Sequence, residues 1–328
     1  MGCLTMDGSS YRVPTRLQGL SGSMTALVTP FKNGRIDEEA FVFLCRRQID
    51  RGTAALVPCG TTGESSTLTR GEQLRVIELA VRTAVGQVPV LAGAGSNCTR
   101  TAIDLVQEAE RLGADAVLSV VPYYNRPTQD GIYQHFRAIQ CSTKLPVLLY
   151  DVPSRSGVGL TTDTIERLAS LPNVVGLKDA SGDLGRTQTL RRSLGPGFLL
   201  LCGDDARVAD YLALNGDGCI SVASNVAPAL CAALHRAWAA NDRGHFQQLR
   251  NLLDILNEAL FVETNPIPVK WALARLGLIS DEIRLPLTPL AQNCQPIVQH
   301  ALNAIISAEA EEAALIAASR RGQQVAAT

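Results

Sequence analysis

Eight short apolar runs recur along the chain: MTALVTP (24–30), TAALVPCG (53–60), VPVLAGAG (88–95), DAVLSVVP (115–122), LPVLLYDVP (145–153), VVGLKDA (174–180), FLLLCGD (198–204) and DGCISVAS (217–224). Each is apolar almost throughout, as a strand must be when helices cover one face and a packed interior the other. Amphipathic stretches such as DEEAFVFLCRRQIDRG and RGEQLRVIELAVRTAVG lie between them. In the second, Leu74, Ile77, Val81 and Val85 recur at helical spacing. Eight strands alternating with helices predict a parallel sheet, and eight is the number that closes a (β/α)8 TIM barrel of about 250 residues. A doubly wound open sheet shares the same rhythm and is the alternative. Past residue 240 the strand-like runs stop and three helical stretches follow, giving a C-terminal helical extension. The expected division is an N-terminal extension over 1–19, flexible, a barrel over 20–240, a helical domain over 241–312 and a frayed tail over 313–328.

The charge balance narrows the partners. Thirty basic and thirty-one acidic side chains leave a net charge of −1, with no basic stripe, so nucleic acid is not an expected partner and small molecules are. Nine cysteines stand singly, without a CxxC pair, and read as free thiols of a reducing compartment. With only four histidines, none at ligand spacing to a cysteine, no metal site is expected. The first residues lack the apolar core of a signal peptide, and no run reaches the roughly 18 residues of a membrane span, so the expected location is cytoplasmic and no membrane partner is expected.

In a barrel of this kind the chemistry gathers where strands end at their C-termini. Polar residues collect there: GTTGES (60–65), PYYNRPT (122–128), YDVPSRSG (150–157), Lys178, GDD (203–205) and SVASN (221–225). Each has a plain structural reading. GTTGES suits an ordinary capped turn, paired tyrosines suit a core or a subunit contact, Arg155 suits a surface ion pair, and Asp204 with Asp205 suits a helix N-cap and first turn. Lys178 is the sharpest case, because a buried ammonium is costly unless paired or neutral. It is either a structural ion-pair member or an amine that Val174, Val175 and Leu177 desolvate for imine chemistry with a keto acid. Asp179 is excluded as its direct partner if the strand persists, since neighbours on a strand face opposite ways.

Taken together, GTTGES, PYYNRPTQDGIYQHF, YDVPSRSGVGL, GLKDASGD, GDDARV and ISVASNVAP resemble the dihydrodipicolinate synthase group of pyruvate-dependent class I aldolases. The resemblance runs from about Gly19 to about Ala301. It implies condensation of pyruvate with L-aspartate 4-semialdehyde, with no cofactor beyond a covalent imine on Lys178. It further implies Tyr150 as proton donor and acceptor, and Thr61 as the link to Tyr124 reaching in from a neighbouring subunit. Thr62 would hold the pyruvate carboxylate, Arg155 the carboxylate of the second substrate, and backbone at Gly203 and Ile220 would line the pocket. A homo-oligomer, at least a dimer and a tetramer among relatives, is implied as well.

Two departures from the family pattern matter. Relatives inhibited by lysine carry histidines after GTTGES and an acid after the third strand, where this chain has Arg70, Gln73 and Thr101. Weak feedback by lysine is the expectation. DASG after Lys178 also differs from the commoner Glu-containing form, which leaves aldolases of sugar acids or acetylneuraminate, or a related 2-keto acid dehydratase, as the alternative within the class. Arg155 is the discriminator against them. A barrel that binds without turnover is the rival from another class, disfavoured by Lys178, Tyr150, Thr61 and Tyr124 together.

Overall fold

The eight apolar runs become eight parallel strands in a computed structural model that describes residues 17–326. They are β1 (Gly22–Ala26), β2 (Ala55–Val57), β3 (Leu91–Gly93), β4 (Ala116–Val120), β5 (Val147–Asp151), β6 (Val174–Asp179), β7 (Leu199–Cys202) and β8 (Gly218–Ser221). Sequence neighbours pair from β3 through β8, β8 pairs back onto β1, and β1 pairs with β2. A bridge between Leu56 and Val90, with Leu56 N donating to Pro89 O at 3.0 Å, closes β2 against β3. An open sheet would leave two free edges; here the edges meet, so the fold is a (β/α)8 barrel. Close approach explains one sequence choice on this seam: a Cβ at Gly93 would lie 2.1 Å from the carbonyl oxygen of Cys59.

Helices α1 (Glu38–Asp50), α2 (Arg70–Ala84), α3 (Thr99–Arg111), α4 (Gln129–Gln140), α5 (Thr162–Ala169), α6 (Leu184–Leu194), α7 (Val208–Ala213) and α8 (Pro228–Ala239) form the outer layer. Their starts follow local chemistry. Thr69 and Glu72 form a reciprocal capping box on α2, and Asp37 and Asp183 cap α1 and α6. Apolar side chains form two separate layers, one between strands and helices and one inside the ring. The inner layer includes Leu17 and Leu20. Leu17 thus belongs to the barrel core, although the sequence reading put it in a flexible extension.

Three further helices follow: α9 (Arg243–Ala259), α10 (Ile267–Arg275) and α11 (Gln295–Ala326). α11 continues unbroken through residues read from composition as a tail. Helix α8 begins with Pro228 and has no cap of its own, so Ala229 N and Leu230 N donate to the Glu309 carboxylate of α11 at 3.2 and 3.0 Å. Arg320 on the same helix donates to the Ile49 carbonyl at 2.6 Å. These contacts hold the C-terminal helices on the barrel wall. None of the described helices is long and apolar enough to cross a membrane.

Candidate active site

Strands β5 and β6 set the centre of the site. Tyr150 stands opposite Lys178, and Asp151 opposite Asp179. The register shifts once, so that Val147 pairs with Val174 and Leu148 with Gly176. Val175 is the extra residue of this bulge, and it flips the face on which every later residue of β6 points. Lys178 therefore joins the interior row while Leu177 and Asp179 face the helices. Of the three residues expected to desolvate the amine, only Val175 belongs to the interior layer; Val174 and Leu177 pack outside. Lys178 is 7% exposed, its Nζ lies 4.3 Å from the centroid of the Tyr150 ring, and among the described residues it has no carboxylate partner. The ion-pair reading of Lys178 fails on that geometry. Asp179 bonds Arg186 on the outer face instead.

A cavity of about 350 Å³ opens at this end of the barrel. Thr61, Tyr150 and Arg155 are on its wall, with Gln73, Ser66 and Tyr123. Lys178 is not on that wall; its ammonium lies against the Tyr150 ring that is. Thr61 and Tyr150 share the cavity without a direct hydrogen bond. Thr62 is buried, and its Oγ1 accepts from Asn265 Nδ2 at 3.0 Å. Arg155 sits in a single helical turn, Pro153–Ser156, and donates to the Asn265 carbonyl at 3.3 Å. The Gly203 amide is spent on the Asp179 carbonyl at 2.7 Å, and a Cβ there would meet Ala180 Cβ at 2.8 Å. Only its carbonyl is left for a ligand. Ile220 is buried in the interior layer. Tyr124 stands apart: it is 88% exposed, with its backbone in the left-handed region at φ 72°, and is not on the cavity wall.

Several structural partners were not singled out from sequence. Glu64, inside GTTGES, is buried against Lys270 of α10 at 2.5 Å, and its second oxygen accepts from Arg284 N at 3.1 Å. Burial pulls the Lys270 ammonium below its ordinary range, against the attraction of Glu64. Asn265 holds Thr62 and Arg155 at once and leaves its Oδ1 buried without a donor. Asn225 ties the end of β8 to β1 through Val28 N and the Ala26 carbonyl. Asp204 caps the turn Asp205–Arg207, as read, but Asp205 reaches across to accept from Val222 N and Ala223 N. No local pattern marks these pairs, because each joins residues far apart in the chain.

Gln73 faces the cavity and donates to the Gly93 carbonyl at 3.0 Å. Arg70 turns instead toward Asp104 and Glu108 on α3. Of the positions behind the expectation of weak lysine feedback, Gln73 is on the cavity wall and Arg70 is not. Eight cysteines among the described residues are free thiols; Cys3 lies outside them. No group of three or more metal-binding side chains converges among the described residues.

Residues 19–305 match the model of the dihydrodipicolinate synthetase family. The chain is similar to a 4-hydroxy-tetrahydrodipicolinate synthase of Hyphomonas neptunium, 54% identical over 81% of this chain and 92% of that one. It is likewise 48% identical to the synthase of Bradyrhizobium diazoefficiens, over 86% and 95% of the two chains. Among solved structures, the synthase of Acinetobacter baumannii complexed with pyruvate superposes with a TM-score of 0.85 at 45% identity, covering 87% of this chain and 98% of that one. The synthase of Methylacidiphilum fumariolicum gives 0.86 at 41%, covering 90% and 98%.

Proposed function

The chain belongs to the dihydrodipicolinate synthetase family, and from that we propose that it condenses pyruvate with L-aspartate 4-semialdehyde to give 4-hydroxy-tetrahydrodipicolinate and water. The product belongs to diaminopimelate and lysine biosynthesis. One observation carries the reading in this molecule: an inward lysine, with no acid beside it among the described residues, lies against an inward tyrosine, next to a cavity. The similar Acinetobacter synthase was solved with pyruvate.

The reaction assigns each part a task. The Lys178 amine adds to the pyruvate ketone, and loss of water leaves an iminium, with Tyr150 moving the protons. The iminium draws a proton off the methyl carbon, and the resulting enamine attacks the aldehyde carbon. The amino group of the second substrate then adds to the imine carbon and expels Lys178, which closes the ring. Thr62, fixed by Asn265, holds the pyruvate carboxylate with the backbone around it. Arg155, anchored on the same asparagine, takes the carboxylate of the aldehyde partner. Gly203 and Ile220 line the pocket by their backbone, and no cofactor is needed beyond the imine. The working location is the cytoplasm.

The site is completed by a second copy of the chain. Tyr124 is not on the wall of its own cavity, so a neighbouring Tyr124 supplies the outer end of the proton relay through Thr61, in a dimer or a tetramer. Mixing Tyr124→Phe with Lys178→Ala subunits under demonstrated exchange should restore activity in hybrid sites; none restored would refute a shared site. The function itself is tested by borohydride reduction with pyruvate, followed by mass spectrometry. A pyruvate adduct on the Lys178 peptide is expected. Turnover of a sugar acid or acetylneuraminate in preference to aspartate semialdehyde would instead favour the other aldolases.

A further inference from the structure

The two residues that follow Tyr150 and Lys178 in sequence are both aspartates, and one buried arginine holds them together. Arg186 Nη1 donates to Asp151 Oδ2 at 2.7 Å and to the Leu160 carbonyl at 2.9 Å. Its Nη2 and Nε grip Asp179 at 2.6 and 3.1 Å. All three side chains are nearly sealed from water. The remaining oxygen contacts are filled as well, by Leu160 N on Asp151 and Ser181 N on Asp179. A lone buried arginine between two buried acids is a poor source of net stability, because desolvation offsets most of the attraction. Its value lies in geometry, since a guanidinium fork fixes the spacing and plane of what it binds.

From this arrangement we infer that Arg186 is a positioning residue for the reaction: it clamps Asp151 to Asp179 on the outer face of β5 and β6 and thereby sets the Tyr150–Lys178 spacing inside. The logic is that of the strand itself. Adjacent residues are joined by one peptide unit, so locking the outer row at Asp151–Asp179 locks the inner row at Tyr150–Lys178. The lock is needed here because the bulge at Val175 loosens the ladder just upstream. This inference rests on Lys178 and Tyr150 being the reacting pair.

Arg186→Lys keeps one positive charge and removes the fork. In the folded enzyme its kcat should fall about 10- to 100-fold, the cost of roughly an ångström of misplacement. The KM for pyruvate should stay within about threefold, and borohydride trapping of the adduct should slow in parallel with kcat. If kcat per folded site is unchanged, or if only KM moves, the clamp is structural alone and the proposal is overturned. Should Arg186→Lys not fold, Asp179→Asn is judged by the same measures; failure of both to fold also overturns it. Trapping on the unmodified protein separates the two layers of inference. No adduct there defeats the imine reading and the clamp with it, whereas an adduct there at an equal rate in Arg186→Lys defeats the clamp alone.

Discussion

Two buried lysines sit at the same end of this barrel, and they differ in one respect. Lys270 is 1% exposed, lies 4.3 Å from the centroid of the Phe31 ring and has Glu64 at 2.5 Å. Lys178 is 7% exposed, lies 4.3 Å from the centroid of the Tyr150 ring and has no acid partner among the described residues. Burial and an aromatic neighbour are common to both, so neither distinguishes a reactive amine from a structural one. The partner does. A carboxylate in contact occupies the amine with a salt bridge; an amine with none among the described residues is left available for a ligand. Lys270 anchors the returning C-terminal segment to GTTGES, alongside the grip of Arg284 on Glu72.

The contrast can be broken at its strongest point by Lys178→Ala. Turnover should fall about 10³-fold or more and the pyruvate adduct should vanish. The melting temperature should hold or rise, because no partner is left unpaired. A large drop in Tm would show that Lys178 is structural after all. Lys270→Met should do the reverse. It strands Glu64 in the interior and should cost about 3–5 kcal/mol of stability, while the folded fraction still traps pyruvate at Lys178. Adding Glu64→Leu should recover most of that loss; if it recovers none, the pair is not the origin of the cost.

The smallest effect concerns burial without a charged partner, seen at two histidines, of which His135 meets Thr99 Oγ1 at 2.9 Å through Nδ1. Desolvation holds His135 and His235 at about 4, below the ordinary 6.5. Both stay neutral in the fold while the unfolded chain takes up protons below pH 6.5. Stability is therefore full above pH 6.5, declines as pH falls and levels off below about 4. By pH 5.5 each should have cost about 1 kcal/mol. Denaturant midpoints at pH 7.5 and 5.5 measure this, and His135→Phe should flatten the profile; an identical midpoint at both pH values would contradict it.

Much of the site was legible from residues alone because strand periodicity is local. The eight runs, their ends and the polar residues at those ends all follow from spacing. So does the exclusion of Asp179 as the partner of Lys178, which the outward Arg186 contacts bear out. The desolvating set around Lys178 was legible only in part: alternation alone turns Leu177 away from its neighbour Lys178, whereas the bulge turns Val174 outward and Val175 inward with no mark in composition. The partners of Arg70 were not legible for a similar reason: its position on α2 follows from local pattern, but Asp104 and Glu108 lie on α3.

By itself the sequence determined eight strands alternating with helices and the presence of a lysine at the end of the sixth, because hydrophobic period and strand count are properties of neighbouring residues. That the sheet closes into a ring was decided by the pairing of its edges. Only the tertiary structure decided what that lysine meets. The Asn265–Thr62 and Lys270–Glu64 contacts span 203 and 206 residues. Such contacts depend on where the chain returns after the barrel closes, and short-range pattern carries no information about that distance.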